Sequence, residues 1–187
     1  GQNWGPERAI NQLTEHVYRW GADGQNGMLV VTSEGVILAD GHYCERGHLE
    51  WLKSEIESRF DVMVKYVVLS HDHQSHICGT EIFSDTAVAI GHKNIRAHII
   101  REGRQVLLPQ VTFEESLDID LGGVKVTLLY LGPLHSDNLI QVHVPAEGVL
   151  FAPDFARGTN IFPDFRDMEV NNMLEALNTA GYMPDVE

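Results

Sequence analysis

Three histidines fall within six residues at His71, His73 and His76, directly after the apolar run Val67–Leu69. Each neutral imidazole carries a donor and an acceptor that burial must satisfy, so three together make poor core filling. They make good ligands for a borderline-soft cation such as zinc. His71 and His73 are two apart, so in extended backbone they project to the same side; His76 follows after room for a turn. Two later positions repeat the arrangement of a polar residue just past an apolar strand: His135, after Leu129–Leu131 and a Gly-Pro break, and Asp154, after Val149–Phe151. Ligands at the ends of several strands can converge on one point although they are far apart in sequence. A three-histidine zinc with an open position lowers the pKa of bound water to about 7, which makes hydroxide available at neutral pH.

The elements that must position these groups follow from hydrophobic periodicity. Residues 1–27 read as an entry segment closed by a turn-rich break from Gly21 to Gly27. Met28–Thr32 and Val36–Ala39 form strands of a hairpin, and Asp40 just after them either orients a ligand or caps a turn. Leu49, Leu52, Ile56 and Phe60 recur at helical spacing from His48 to Phe60. Val62–Leu69 is nearly continuously apolar, as suits a strand buried on both faces. A strand at Thr86–Ile90 and a helix from about Lys93 to Glu102 come next, with His98 on a solvent face and His92 as a cap. Strands at 111–119 and 124–130 are joined around Asp120–Gly123, and a further pair occupies Leu139–Val144 and Val149–Phe151. A last amphipathic helix spans Met168–Thr179. Strands arriving as hairpins, with helices between them, bury their apolar faces best as two stacked sheets covered by helices.

The chain has 187 residues, a size that suits a single domain over 1–187, with 43% hydrophobic and 21% charged residues. A net charge of −14 opposes a nucleic-acid partner and an anionic membrane surface, and no apolar run is long enough to span a bilayer. The expected partner is a small-molecule substrate, with oligomeric state and compartment left open. Cys44 and Cys78 fit neither a zinc-ribbon spacing nor a disulfide framework and are expected as free, mostly buried thiols, with pairing in an oxidising compartment as the alternative.

His71-x-His73-x-x-His76 after a strand, then Gly-Pro-x-His135-Ser, then Leu-Phe-x-x-Asp154, resembles the metallo-β-lactamase-fold hydrolase superfamily. The resemblance covers roughly residues 25–180. It implies an α+β fold, an αββα sandwich of two mixed β-sheets flanked by helices, with a metal site at one edge. It implies that His71, His73 and His135 hold one zinc and that His76 and Asp154 belong to a second site. One zinc is expected, with two, or iron instead, as alternatives. Two departures stand out: Ser75 occupies the place of the family's aspartate, and no histidine follows His143. Either the domain is truncated or the second metal is weak or absent. The implied activity is hydrolysis of an amide, lactam, ester or thioester bond, with Asp154 orienting the nucleophile or taking its proton. The alternatives are a catalytically silent metal-binding domain and a non-haem iron oxygenase or oxidoreductase on the same fold. Asp137-Asn138 resembles a family pair, and Asn138 either donates to substrate or serves a turn, while Asp72 supports its neighbours. Arg46, Arg157, Phe162, Phe165 and Arg166 lie in loops that would line the pocket.

Overall fold

The computed structural model describes residues 8–44 and 47–155, together with Glu175. Strands β1 (Ala9–Gln12), β2 (Val17–Ala22), β3 (Gln25–Thr32), β4 (Gly35–Ala39), β5 (Val64–Val68), β6 (Val88–His92) and β7 (Val111–Phe113) form one sheet in that spatial order. Pairing is antiparallel from β1 to β4 and parallel from β4 to β7. Strands β8 (Ser116–Leu121), β9 (Val124–Leu129), β10 (Gln141–Val144) and β11 (Val149–Phe151) make a second, antiparallel sheet. Among the described residues, three α-helices lie between these strands: α1 (His48–Phe60), α2 (Gln74–Ile77) and α3 (Ile95–Glu102). The α+β class and stacked sheets expected from the sequence are those observed.

Alternation along the central strands builds two cores. Val36 and Leu38 of β4, with Val64 and Val67 of β5, face Leu49, Leu52 and Ile56 of α1 and Ile95 and Ile99 of α3. Ile37, Ala39 and Val68 point the other way, onto Ile119, Val126, Leu128 and Val142 of the smaller sheet. Because successive side chains of a strand point to opposite faces, an unbroken apolar run is what a strand between two cores requires. Helix α1 stops where Asp61 turns left-handed (φ 54°) and its N–H reaches Glu57 O.

The entry segment is a correction. Residues 9–27 carry β1, β2 and the start of β3, and Asp23-Gly24, both at positive φ, make the two-residue turn between β2 and β3. Gly27 is a strand residue opposite buried Trp20. A Cβ there would overlap the indole, so this glycine marks a close approach and not a loop. The strand expected over 111–119 is also two strands. The chain leaves the mixed sheet after Phe113 and enters the other sheet at Ser116. Cys44 and Cys78, expected as free thiols, are bonded to each other. Of the helix expected at Met168–Thr179 only Glu175 is described, and it is helical; the loop residues Arg46, Arg157, Phe162, Phe165 and Arg166 lie outside the described residues. Among the described residues no helix is long and apolar enough to cross a membrane.

Candidate metal centre

The strand ends that meet at one edge of the sandwich carry the polar residues singled out above. In the parallel pair β4–β5, Ala39 lies opposite Val68, so Asp40 and the Leu69–His73 segment emerge side by side. Ser70 O accepts from Ile140 N at 2.8 Å, which draws the segment carrying His135 against this edge. Asp154 follows β11, three residues past Phe151.

These segments bring His71, His73, His135 and Asp154 together, each offering one ligand atom within 4.8 Å of the others. His135 Nε2 stands 3.0 Å from His73 Nδ1. Asp154 Oδ2 lies 3.6 Å from His71 Nε2, 3.7 Å from His135 Nε2 and 3.0 Å from His76 Nε2. His76 therefore reaches the same carboxylate oxygen from α2, and its ring lies 4.5 Å from that of His71. Ser75, which precedes His76 in α2, is half-buried.

The protonation pattern prepares this cluster for a cation. His71 is fully buried, and burial, reinforced by the neighbouring imidazoles, holds it well below its usual pKa. Burial also lowers His73. Ser70 Oγ donates to Asp40 Oδ2 at 2.8 Å and so accepts from His71 Nδ1 at 2.9 Å. That order leaves the proton on Nδ1 and the lone pair on Nε2, which is buried without a hydrogen-bond partner. An orphaned acceptor facing two other imidazole nitrogens is the three-nitrogen donor set that a tetrahedral dication takes with one position left open, here beside a carboxylate. The residues present fit a metal ion.

Asp40 settles the choice left open by the sequence: it orients. Its side chain, fully buried, accepts from Ser70 N at 2.8 Å, from Ser70 Oγ and from His76 Nδ1 at 3.0 Å. Burial alone would lower His76, but hydrogen bonds to Asp154 and Asp40, with their charges, push it up to about 9. Asp40 and Asp154 both sit in left-handed backbone (φ 66° and 52°), a conformation that aspartate tolerates better than most residues and that gathers at functional sites.

The choice left open for Asn138 closes, and the expectation for His98 changes. Asn138 does not serve as a free donor for substrate, because Nδ2 donates to Asp72 Oδ1 and to Asp137 Oδ1, each at 2.8 Å, and Oδ1 accepts from Asp72 N at 2.9 Å. Asp72 thus supports the loop between two of the clustered histidines, with Arg104 Nη1 3.7 Å from its other oxygen. His98, expected on a solvent face, is half-buried, and its Nε2 lies 2.9 Å from Asp137 Oδ1. His92 stacks on Tyr130 at 3.8 Å, whose hydroxyl donates to Asp137 O. The roles of Ser70, Arg104 and Asp137 escaped the sequence reading. A serine between an apolar strand and a histidine of the cluster was the signal available for the first.

The profile of the metallo-beta-lactamase superfamily matches residues 20–181. The chain belongs to this superfamily. Its relatives differ in what they do. It is 24% identical over 172 residues to the alpha subunit of a 2,4-dinitroanisole O-demethylase from Nocardioides sp. (strain JS1661), a match that spans 88% of this chain and 52% of that one. It is also 24% identical over 181 residues to a metallo-beta-lactamase type 2 from Bacteroides fragilis, spanning 92% of this chain and 70% of that one. The chain thus spans about half the length of the first of these relatives. Among solved structures, metallo-beta-lactamase FIM-1 from Pseudomonas aeruginosa, in a mono-zinc form, superposes with a TM-score of 0.78 at 15% identity, over 96% of this chain and 85% of that one. That likeness carries the αββα sandwich fold.

Proposed function

We propose that this superfamily member is a zinc-dependent hydrolase that cleaves an amide, lactam, ester or thioester bond, with His71, His73 and His135 holding the metal. The observation that carries the reading is the meeting of three imidazole nitrogens and one Asp154 oxygen within 4.8 Å, with His71 Nε2 buried and unpaired. Zinc held there supplies Lewis acidity and makes hydroxide available at neutral pH. Asp154 orients the attacking water and accepts its proton, its carboxylate fixed by His76 at 3.0 Å. His76 is itself fixed by Asp40. The Ser70–Asp40 pair keeps His71 in the tautomer that presents Nε2. Asn138 and Asp72 hold the loop that spaces His71 from His73.

One metal per chain is the expected loading, because Ser75 offers a neutral hydroxyl where a second dication would need a carboxylate. Equal identity to a lactamase and to an O-demethylase subunit favours no lactam in particular. The test is elemental analysis of the purified chain, of His73→Ala and of Asp154→Ala, beside hydrolysis of a lactam, an aryl ester and a thioester. About one zinc, lost in His73→Ala and retained in Asp154→Ala with hydrolysis abolished, supports the reading. Iron in place of zinc would favour the oxidoreductase alternative. Metal without hydrolysis of any of the three would favour the catalytically silent domain.

A further inference from the structure

The Cys44–Cys78 bond lies beside the candidate metal centre, and its two sulfurs are unequally placed. Cys78 follows α2, two residues past His76. It is fully buried, and its carbonyl accepts from His42 N at 3.0 Å. Cys44 is half-buried and lines a cavity of about 440 Å³ with Gln74, Glu102, Gly103, Arg104 and Gln105. Gln74 Nε2 lies 3.7 Å from Cys44 Sγ. Among the described residues of that lining the cation is Arg104. Its Nη1 is buried without a hydrogen bond, 3.7 Å from Asp72 Oδ2. The carboxylate of Glu102 is taken up by Arg101 Nε at 3.0 Å. The described lining therefore presents the Cys44 side of the disulfide beside the Arg104 guanidinium.

We propose that Cys44–Cys78 is a thiol-exchange site for small thiols that carry a carboxylate. The thiol enters the cavity with its carboxylate toward Arg104, and its thiolate attacks Cys44 Sγ. A new S–S bond forms there, the Cys44–Cys78 bond breaks, and the electron pair leaves on Cys78 Sγ, which takes a proton from water. The incoming thiol is oxidised and Cys78 is reduced. Burial bars the same attack on Cys78. Return attack by Cys78 on the mixed disulfide restores the bond and releases the thiol. Cys44 is thus a modification site, and its bond to Cys78 is the tie that modification opens between the segment leaving β4 and the helix bearing His76. The inference stands apart from the hydrolase reading.

A net charge of −14 repels anionic thiols at large, so any preference for them must be local. The test incubates the oxidised chain with reduced glutathione or with cysteamine, quenches with an alkylating reagent and maps the peptides. Glutathione on Cys44 with alkylated Cys78 is the expected product. Arg104→Gln should lower the glutathione-to-cysteamine rate ratio about fivefold, the scale of one partly screened charge pair. Because Arg104→Gln also disturbs Asp72, Gln105→Glu provides a second variant that alters the cavity charge without touching that pair, and it should shift the ratio the same way. An adduct on Cys78, no adduct, two alkylated cysteines before any thiol is added, or an unchanged ratio in both variants would overturn the proposal.

Discussion

The Oδ2 atom of Asp40 stands 3.0 Å from Nδ1 of His76 and 2.8 Å from Ser70 Oγ, so one buried oxygen organises two of the clustered histidines, His76 directly and His71 through the serine. Asp40→Asn keeps the shape and tolerates the left-handed backbone but removes the charge. Loss of such a supporting partner typically weakens metal affinity about 10- to 100-fold, and competition against a chelator of known affinity would measure it. Asp40→Ala strands His76 and Ser70 in a buried site and should cost about 3–5 kcal/mol of stability, read from the urea midpoint.

Ser70→Ala removes the hydroxyl that assigns the His71 proton to Nδ1. The backbone bond from Ser70 N to Asp40 survives, so the fold should lose only about 1–3 kcal/mol. The sharper effect is on the tautomer. Imidazole nitrogen shifts in the metal-free protein should report Nδ1–H for His71 in the parent and a mixture in the variant, and a parent that is already mixed would remove Ser70 from this role.

Asn138→Ala breaks three bonds at once: two with Asp72, to its Oδ1 and from its N, both buried, and a part-buried one to Asp137 Oδ1. Each unpaired group costs about 1–3 kcal/mol. The variant should therefore unfold at clearly lower urea concentration and bind metal more weakly, because the loop between His71 and His73 loses its brace. Asn138→Asp sets a carboxylate against Asp72 and should be worse than alanine. If the aspartate variant were the more stable of the two, the proposed brace would be wrong.

The metal-free protein should be most stable near pH 6.5. His71, His73 and His92 have pKa values lowered by burial, so below about 6.5 the unfolded chain binds protons that the folded chain refuses, and stability falls as pH drops. His76 works in the opposite sense. With a folded value of about 9, its contribution is full below 6.5 and is lost as pH rises toward 9. Urea midpoints measured with chelator from pH 5 to 9.5 should show both limbs. His92→Phe should soften the acid limb and His76→Gln the alkaline one.

What the sequence by itself determined was local. The apolar run Val67–Leu69 had to be a buried strand, and three histidines at its end had to gather, because spacing along one chain sets which side chains emerge together. His135 and Asp154, each just past a strand, were legible for the same reason. The tertiary structure decided what depends on neighbours from elsewhere in the chain. Whether Asp40 orients or caps followed from the parallel register that sets Ala39 beside Val68. Whether Asn138 meets substrate or Asp72 followed from the packing of residues 66 positions apart. Gly27 looked like a turn until Trp20 was seen to need its space, and the two cysteines looked free because nothing local brings position 44 to position 78. Pattern along a chain encodes which face a residue takes. Which partner it meets there is set by the whole sandwich, because burial leaves each polar group only the partners that the packed sheets bring within reach.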